Sequence, residues 1–219
     1  MIVNPTYGAG GSPAPSSGYV EDRLVALYDR TGGDFEIKNA KYSPDANKQY
    51  EYEIFSNDGM TVECYAQVDG DSSQAYSRAF EVGYSNAICI GLGNGGGSTS
   101  SDYRYNPMTF MGGNTDYDIY VDGLIYGDKH TFTIVSTPDP AETASNTLTY
   151  YIDGVQVGET KTMSRDASAV INEFSIEGIR ASRTMNGTVH SARFYTRALT
   201  AAEIAANHAN DIALYGGNT

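Results

Sequence analysis

The chain has 219 residues, 27 acidic against 14 basic side chains and a net charge of −13, so it lacks the cationic surface that nucleic-acid and anionic-membrane binders need. Eighteen Tyr, 24 Gly and only 19% charged residues match an antiparallel all-β protein, whose strands bury one face and whose turns need permissive backbone. No apolar run approaches the length that spans a bilayer, so membrane insertion is not expected.

Met1 to Gly18 reads MIVNPTYGAGGSPAPSSG and holds three of the seven prolines. It has no periodicity with which to bury a face, and it reads as an arm or linker that orders only against a partner. The fold is expected over residues 19–219 as one domain, since all-β cores commonly run this long without splitting. The opening segment has no charged n-region with an apolar core, which fits either an excised piece or a protein reaching the exterior by another route, such as a virus particle.

Short apolar alternations predict strands at Arg23 to Tyr28, Gln49 to Phe55, Thr61 to Val68, Ala79 to Tyr84, Ala87 to Leu92, Ile119 to Val121, Thr131 to Val135, Leu148 to Ile152, Val155 to Val157, Glu173 to Ile176 and Thr188 to Tyr195. Cys64 shares a strand face with Val62, Ala66 and Val68, and Cys89 lies in the apolar run AICIGL. Both are expected as free core thiols. Asp153 and Gly154 form a two-residue hairpin turn between Ile152 and Val155. Asn186-Gly187-Thr188 is a glycosylation sequon that reads more simply as a turn at a strand entrance. Thr200 and Glu203 make a Thr-x-x-Glu capping box, which opens a helix expected over Ala201 to Ala209.

Gly93 to Asp118 is the longest polar, Gly-rich stretch and is expected as a loop. Tyr103, Tyr105 and Tyr117 with Asn114 suit a sugar, because a pyranose face stacks on an aromatic ring while its hydroxyls need fixed polar partners. The same rings could equally fold the stretch onto the domain. Asn114, Asp116 and Asp118 offer alternating oxygen ligands for Ca²⁺, as do Asp69 and Asp71, with turn-forming Asx side chains as the competing reading. Glu51 and Glu53 share a strand face at a spacing that invites a paired-carboxylate reading. YEYEIF lacks a central Asp between them, and the carboxylates read as solvated. His130, His190 and His208 lie on separate elements and read as ordinary surface imidazoles.

The closing run GTVHSARFYTRALTAAEIAAN, with TLTYYIDGVQVGE and MTVECYAQVD upstream, resembles the laminin G-like, concanavalin A-like sandwich domains. Tyr65 stands where the family commonly has Trp. The opening GYVEDRLVALYD with the closing RALTAAEI is similar to such domains in bacteriophage structural proteins and bacterial surface proteins. The resemblance implies an antiparallel two-sheet jelly-roll sandwich with one short C-terminal helix. It further implies a non-catalytic binding or display module at a virion or extracellular surface, touching host glycans and anchored to other virion proteins through its arm. A glycan-binding module of a bacterial surface protein, and a glycoside hydrolase or polysaccharide lyase on the same scaffold, are the alternatives.

Overall fold

The computed structural model describes residues 18–32, 35–37, 52–53, 59–70, 77–82, 88–92, 105–109, 115–116, 124–138, 145–164, 170–171, 174–176 and 185–218. In chain order the elements are β1 (Leu24–Asp29), β2 (Phe35–Ile37), β3 (Tyr52–Glu53), β4 (Met60–Val68), β5 (Arg78–Val82), β6 (Ile88–Leu92), β7 (Tyr105–Thr109), β8 (Thr115–Asp116), β9 (Lys129–Pro138), β10 (Ser145–Ile152), β11 (Val155–Ser164), β12 (Val170–Ile171), β13 (Phe174–Ile176), β14 (Gly187–Tyr195) and α1 (Ala201–Tyr215). One sheet has seven strands in the order β11-β10-β9-β4-β14-β1-β2 and the other five in the order β13-β5-β6-β7-β8, with β12 and β3 forming a separate pair. Every pairing is antiparallel.

Strand periodicity decides which residues meet between the sheets. Val62, Cys64, Ala66 and Val68 of β4, Phe132 and Ile134 of β9, and Ala192 and Phe194 of β14 join Phe80, Val82, Ile88, Ile90, Phe174 and Ile176 of the smaller sheet in one apolar core. Phe174 lies between Phe80 and Phe194, with ring centroids 6.5 and 5.7 Å away. Cys64 and Cys89 are buried and free, as their apolar neighbours predict.

The spacing of Val189 and Ala192 breaks strand alternation, and a bulge explains it. Val189 pairs with Ala66 and Ser191 with Tyr65, leaving His190 as the extra residue. Past that point Ser191, Arg193 and Tyr195 face away from the core while Ala192 and Phe194 face into it, which sets up everything beneath the helix.

The β10–β11 hairpin turns on Asp153 and Gly154 with φ of 52° and 79°, the signature of a type I′ turn. Gly154 also packs against α1, where an added Cβ would stand 3.0 Å from the Ala205 Cα. Gly187 is needed for close approach rather than for a turn: it is the first residue of β14, and a Cβ there would collide with the Gln67 carbonyl.

Two expectations change. The helix runs six residues beyond Ala209 and ends at Gly216, whose φ of 75° closes the last turn with a bond to the Ile212 carbonyl. The Gly93 to Asp118 stretch is not a plain loop, because β7 and β8 extend the smaller sheet from β6. Pro107 is tolerated in β7 because β8 pairs only with Met108 and Thr109. The expected strand at Ile119 to Val121 lies outside the described residues.

Candidate functional site

Outward positions of the seven-stranded sheet meet α1 through polar groups. Arg193 on β14 lies at the centre. Its guanidinium grips Asp211 of α1 with two parallel bonds of 2.6 and 2.8 Å and reaches Glu63 of β4 at 3.1 Å. Glu63 accepts further bonds from Asn207 at 2.7 Å and Thr133 at 3.1 Å, and Asp211 from Tyr19 at 2.6 Å, Ser191 at 2.7 Å and Thr131 at 2.9 Å. The Tyr19 ring stacks on the guanidinium, 4.2 Å from centroid to Cζ. Tyr19, Leu24, Leu27, Val135, Tyr195, Leu199 and Ile204 rim the cluster with apolar surface.

This arrangement displaces the titration of both its carboxylates. Burial pushes the Glu63 carboxyl above the ordinary range, and Arg193 offsets that only in part. Burial acts on Asp211 in the same direction, but Arg193, with hydrogen bonds from Tyr19 and Ser191, outweighs it and holds the group below the usual range. Paired carboxylates with displaced titration mark active sites and structural ion networks alike. Glu63, Arg193 and Asp211 are each 0% exposed, and their hydrogen bonds are made to one another across β4, β14 and α1, so the cluster is a clamp that fastens α1 to the sheet.

The histidines are not ordinary surface groups. His130, 7% exposed, places Nδ1 2.6 Å from one Asp153 oxygen, and His208 on α1 places Nδ1 3.5 Å from the other. The hairpin turn thus brings two of the three imidazoles to one carboxylate. His190 is half-buried between Tyr65 and Tyr215, with centroids 5.8 and 5.6 Å away. Its titration is lowered, first by burial and then by Lys129 and Arg30.

The outer face of the five-stranded sheet also buries polar groups, Glu81 being 2% and Ser175 3% exposed. Ser175 of β13 pairs with Glu81 of β5, Glu81 with Cys89 of β6, Cys89 with Met108 of β7, and Met108 with Asp116 of β8, giving one register line across all five strands. Glu81 and Ser175 alternate with the core residues Phe80, Val82, Phe174 and Ile176, so they project from the face opposite the core. Arg78 bonds one Glu81 oxygen at 2.6 Å. The other, Oε2, and Ser175 Oγ are buried with no hydrogen-bond partner among the described residues. Such groups cost about 1–3 kcal/mol each while unsatisfied.

Of the residues singled out for ligand or Ca²⁺ binding, Tyr103, Asn114, Tyr117 and Asp118 lie outside the described residues, as does Asp71. Tyr105 of β7 pairs with Leu92 of β6, and Asp116 of β8 ends the five-strand register line. Asp69 is exposed and accepts a bond from Gln67 at 2.5 Å. Among the described residues no three His, Cys, Asp or Glu gather as a metal site. The clamp residues Glu63, Arg193, Asn207 and Asp211 carry no motif. Their signal is a charged residue at an outward strand position on each of two strands, facing an i, i+4 polar pair on the helix.

With two packed antiparallel sheets and a C-terminal helix established, a laminin G-type family model, described as the concanavalin A-like lectin/glucanases superfamily, matches residues 40–205. The chain belongs to this superfamily. No protein of curated function matches it in sequence. Among solved structures, Trypanosoma rangeli sialidase in complex with sialic acid superimposes with a TM-score of 0.55 at 15% identity, covering 100% of this chain and 37% of the sialidase. Domain 4 of AbnA, an extracellular arabinanase from Geobacillus stearothermophilus in complex with arabinotriose, gives 0.53 at 13% identity, covering 85% of this chain and 98% of that domain. The botulinum neurotoxin type G receptor binding domain gives 0.52 at 10% identity, covering 86% and 51%. The chain spans between 23% and 37% of the sialidases it resembles. At these identities the likeness is one of fold.

Proposed function

We propose that the chain is a non-catalytic carbohydrate-binding and display module of a bacteriophage virion. It takes host-surface glycans on the outer face of the five-stranded sheet and on the adjoining stretch that carries Tyr103, Tyr105, Asn114 and Tyr117. The observation that carries this reading is the buried pair Glu81 Oε2 and Ser175 Oγ on one register line, neither with a hydrogen-bond partner among the described residues. A carboxylate oxygen accepts from a sugar hydroxyl and a serine hydroxyl both donates and accepts, while Arg78 holds the carboxylate in place. The superfamily and the sugar complexes of two structural neighbours support a glycan as ligand. The opening and closing sequence motifs support a virion, with residues 1–18 as the anchor. In this proposal Asn114, Asp116 and Asp118 hold Ca²⁺ beside the glycan.

The non-catalytic part rests on the use of the carboxylates: Glu63 and Asp211, whose titration is displaced, are consumed by the clamp. A glycan array with and without Ca²⁺, run on the protein and on Glu81→Gln, tests the reading. Binding that falls at least tenfold in Glu81→Gln supports it. Release of reducing ends from any bound glycan would make the chain an enzyme, and an array with no binding at all would leave only a display role.

A further inference from the structure

The chain enters the fold through a plug. Tyr19 is buried, donates to Asp211 at 2.6 Å and lays its ring over the Arg193 guanidinium, and the amide of Val20 donates to Asn207 at 3.0 Å. Neither residue belongs to a strand, and these partners are all side chains of α1 and β14. β1 follows at Leu24, fixed by its ladders to β14 and β2. Between plug and strand lie only Glu21, Asp22 and Arg23, all exposed. The Leu24 amide donates to the Glu21 carbonyl at 3.1 Å and closes a turn over 21–24, in which Arg23 takes a φ of 57°. Positive φ at the third residue of a turn and not at the second is the type II pattern, whose usual residue there is Gly. An arginine in that position is strained. Asp153, the other non-Gly residue with positive φ among those described, stands instead in the I′ turn that Asp-Gly suits.

We infer that two copies of the chain exchange this plug, the Tyr19 and Val20 of each filling the clamp of the other. A short strained link between a docked element and the body it docks on invites such exchange. Every plug contact is kept in the exchanged pair, while the turn opens and Arg23 returns to extended backbone. The occupant is a second copy because the socket already matches this segment: Asp211 takes the phenol hydroxyl, Arg193 the ring face and Asn207 the amide that follows. Opening the turn gives up the ion pair of Arg197 with Asp22, whose side chain is 75% exposed, and a pair so exposed contributes little. Residues 21–23 reach about 10 Å when extended, so the two β1 strands begin side by side and the two-fold axis passes beside the turn. A net charge of −13 on each copy opposes their approach. The exchanged dimer is therefore concentration-dependent and gains from salt, which screens that repulsion.

Refolding the full chain over a wide concentration range at low and high salt, followed by size-exclusion chromatography with light scattering, tests this. A species of twice 23.6 kDa should grow with concentration and with salt. Arg23→Gly takes the positive φ without strain, so it should raise the Tm of the monomer and lower the dimer association constant at least tenfold. Arg23→Pro, whose φ is fixed near −65°, cannot close the turn and should shift the population to the dimer. Tyr19→Ala keeps residues 1–17 but has no plug to exchange and should stay monomeric. A parent and an Arg23→Pro variant that are both monomeric at every concentration overturn the inference. So does an Arg23→Gly variant that dimerises like the parent, and so does a dimer that persists in Tyr19→Ala, which would place the contact elsewhere in the chain.

Discussion

Replacing Arg193 with Met tests the clamp directly. The side chain is fully buried, makes two bonds to Asp211, one to Glu63 and one to Ser191, and holds the Tyr19 ring. Removing it leaves two carboxylates facing each other without a cation. Breaking a buried pair from one side costs about 3–5 kcal/mol, which for a domain of this size is a fall in Tm of about 6–20 °C. Thermal unfolding followed by far-ultraviolet circular dichroism gives the number. Replacing all three charges together, as Glu63→Leu, Arg193→Met and Asp211→Leu, should recover much of the loss, because an apolar triad has no ion to desolvate. An Arg193→Met variant within about 1 kcal/mol of the parent would refute the clamp, since ordinary surface substitutions fall within about half that.

The two carboxylates should also respond to pH in opposite directions. Glu63 is raised in the folded state by burial, so its contribution is present below its unfolded value and is lost as pH rises through the folded one. For Asp211, Arg193 outweighs burial and lowers it, so its contribution is present above the unfolded value of about 3.9 and is lost as pH falls through the folded one. Glu63→Gln should therefore gain on the parent as pH rises above the unfolded value of about 4.3. Asp211→Asn should be most costly at neutral pH and converge on the parent in acid.

Hydrogen bonds from Arg197 hold Glu203 down to about 2, with the capping bonds of Thr200 adding to the effect. Glu203→Gln should therefore destabilise at neutral pH and lose that effect as pH falls from about 4.5 to 2, while Thr200→Ala should cost about 1 kcal/mol as a lost cap, both read by urea denaturation. Phe194→Ala should cost about 3–5 kcal/mol by opening a cavity against Phe174, read in the same assay. Replacing Tyr103, Tyr105 or Tyr117 with Ala should weaken glycan binding up to about tenfold at an unchanged Tm, the loss of stacking worth roughly 0.5–1.5 kcal/mol per ring. A large fall in Tm without any glycan affinity in the parent would instead assign those rings to packing.

Local signals reach the fold well and the sites poorly, for one physical reason. The Asp153-Gly154 turn, the Thr200–Glu203 box and the alternation of Val62, Cys64, Ala66 and Val68 are each decided within a few residues, and all stand as the sequence predicts. The helix beyond Ala209 is decided by Asp211 meeting Arg193 on another element, and the order of β7 and β8 by the edge of β6. His130 and His208, far apart in sequence, share Asp153 only because the hairpin tip lies on α1. Polar groups that meet across elements leave no periodicity to read, since each looks like a solvated position on its own strand.

Where the folded unit begins can be tested from the same cluster. Tyr19 donates to Asp211 at 2.6 Å with its ring 5% exposed, and the amide of Val20 donates to Asn207 at 3.0 Å, so residues 19 and 20 are stitched to the C-terminal helix from the other end of the chain. Nothing in the composition of residues 1–17 offers a comparable apolar face. Deleting 1–17 should leave Tm unchanged, whereas deleting 1–20 removes the Tyr19 ring, worth about 1.5–3 kcal/mol of burial, and uncovers Asp211. Tyr19→Phe isolates the hydroxyl and should cost only about 0.5–1.5 kcal/mol, because Arg193, Ser191 and Thr131 still bond Asp211. Equal losses for the two deletions would place the boundary upstream of Tyr19 and make the arm part of the fold; a loss confined to the longer one keeps residues 1–17 available as the anchor.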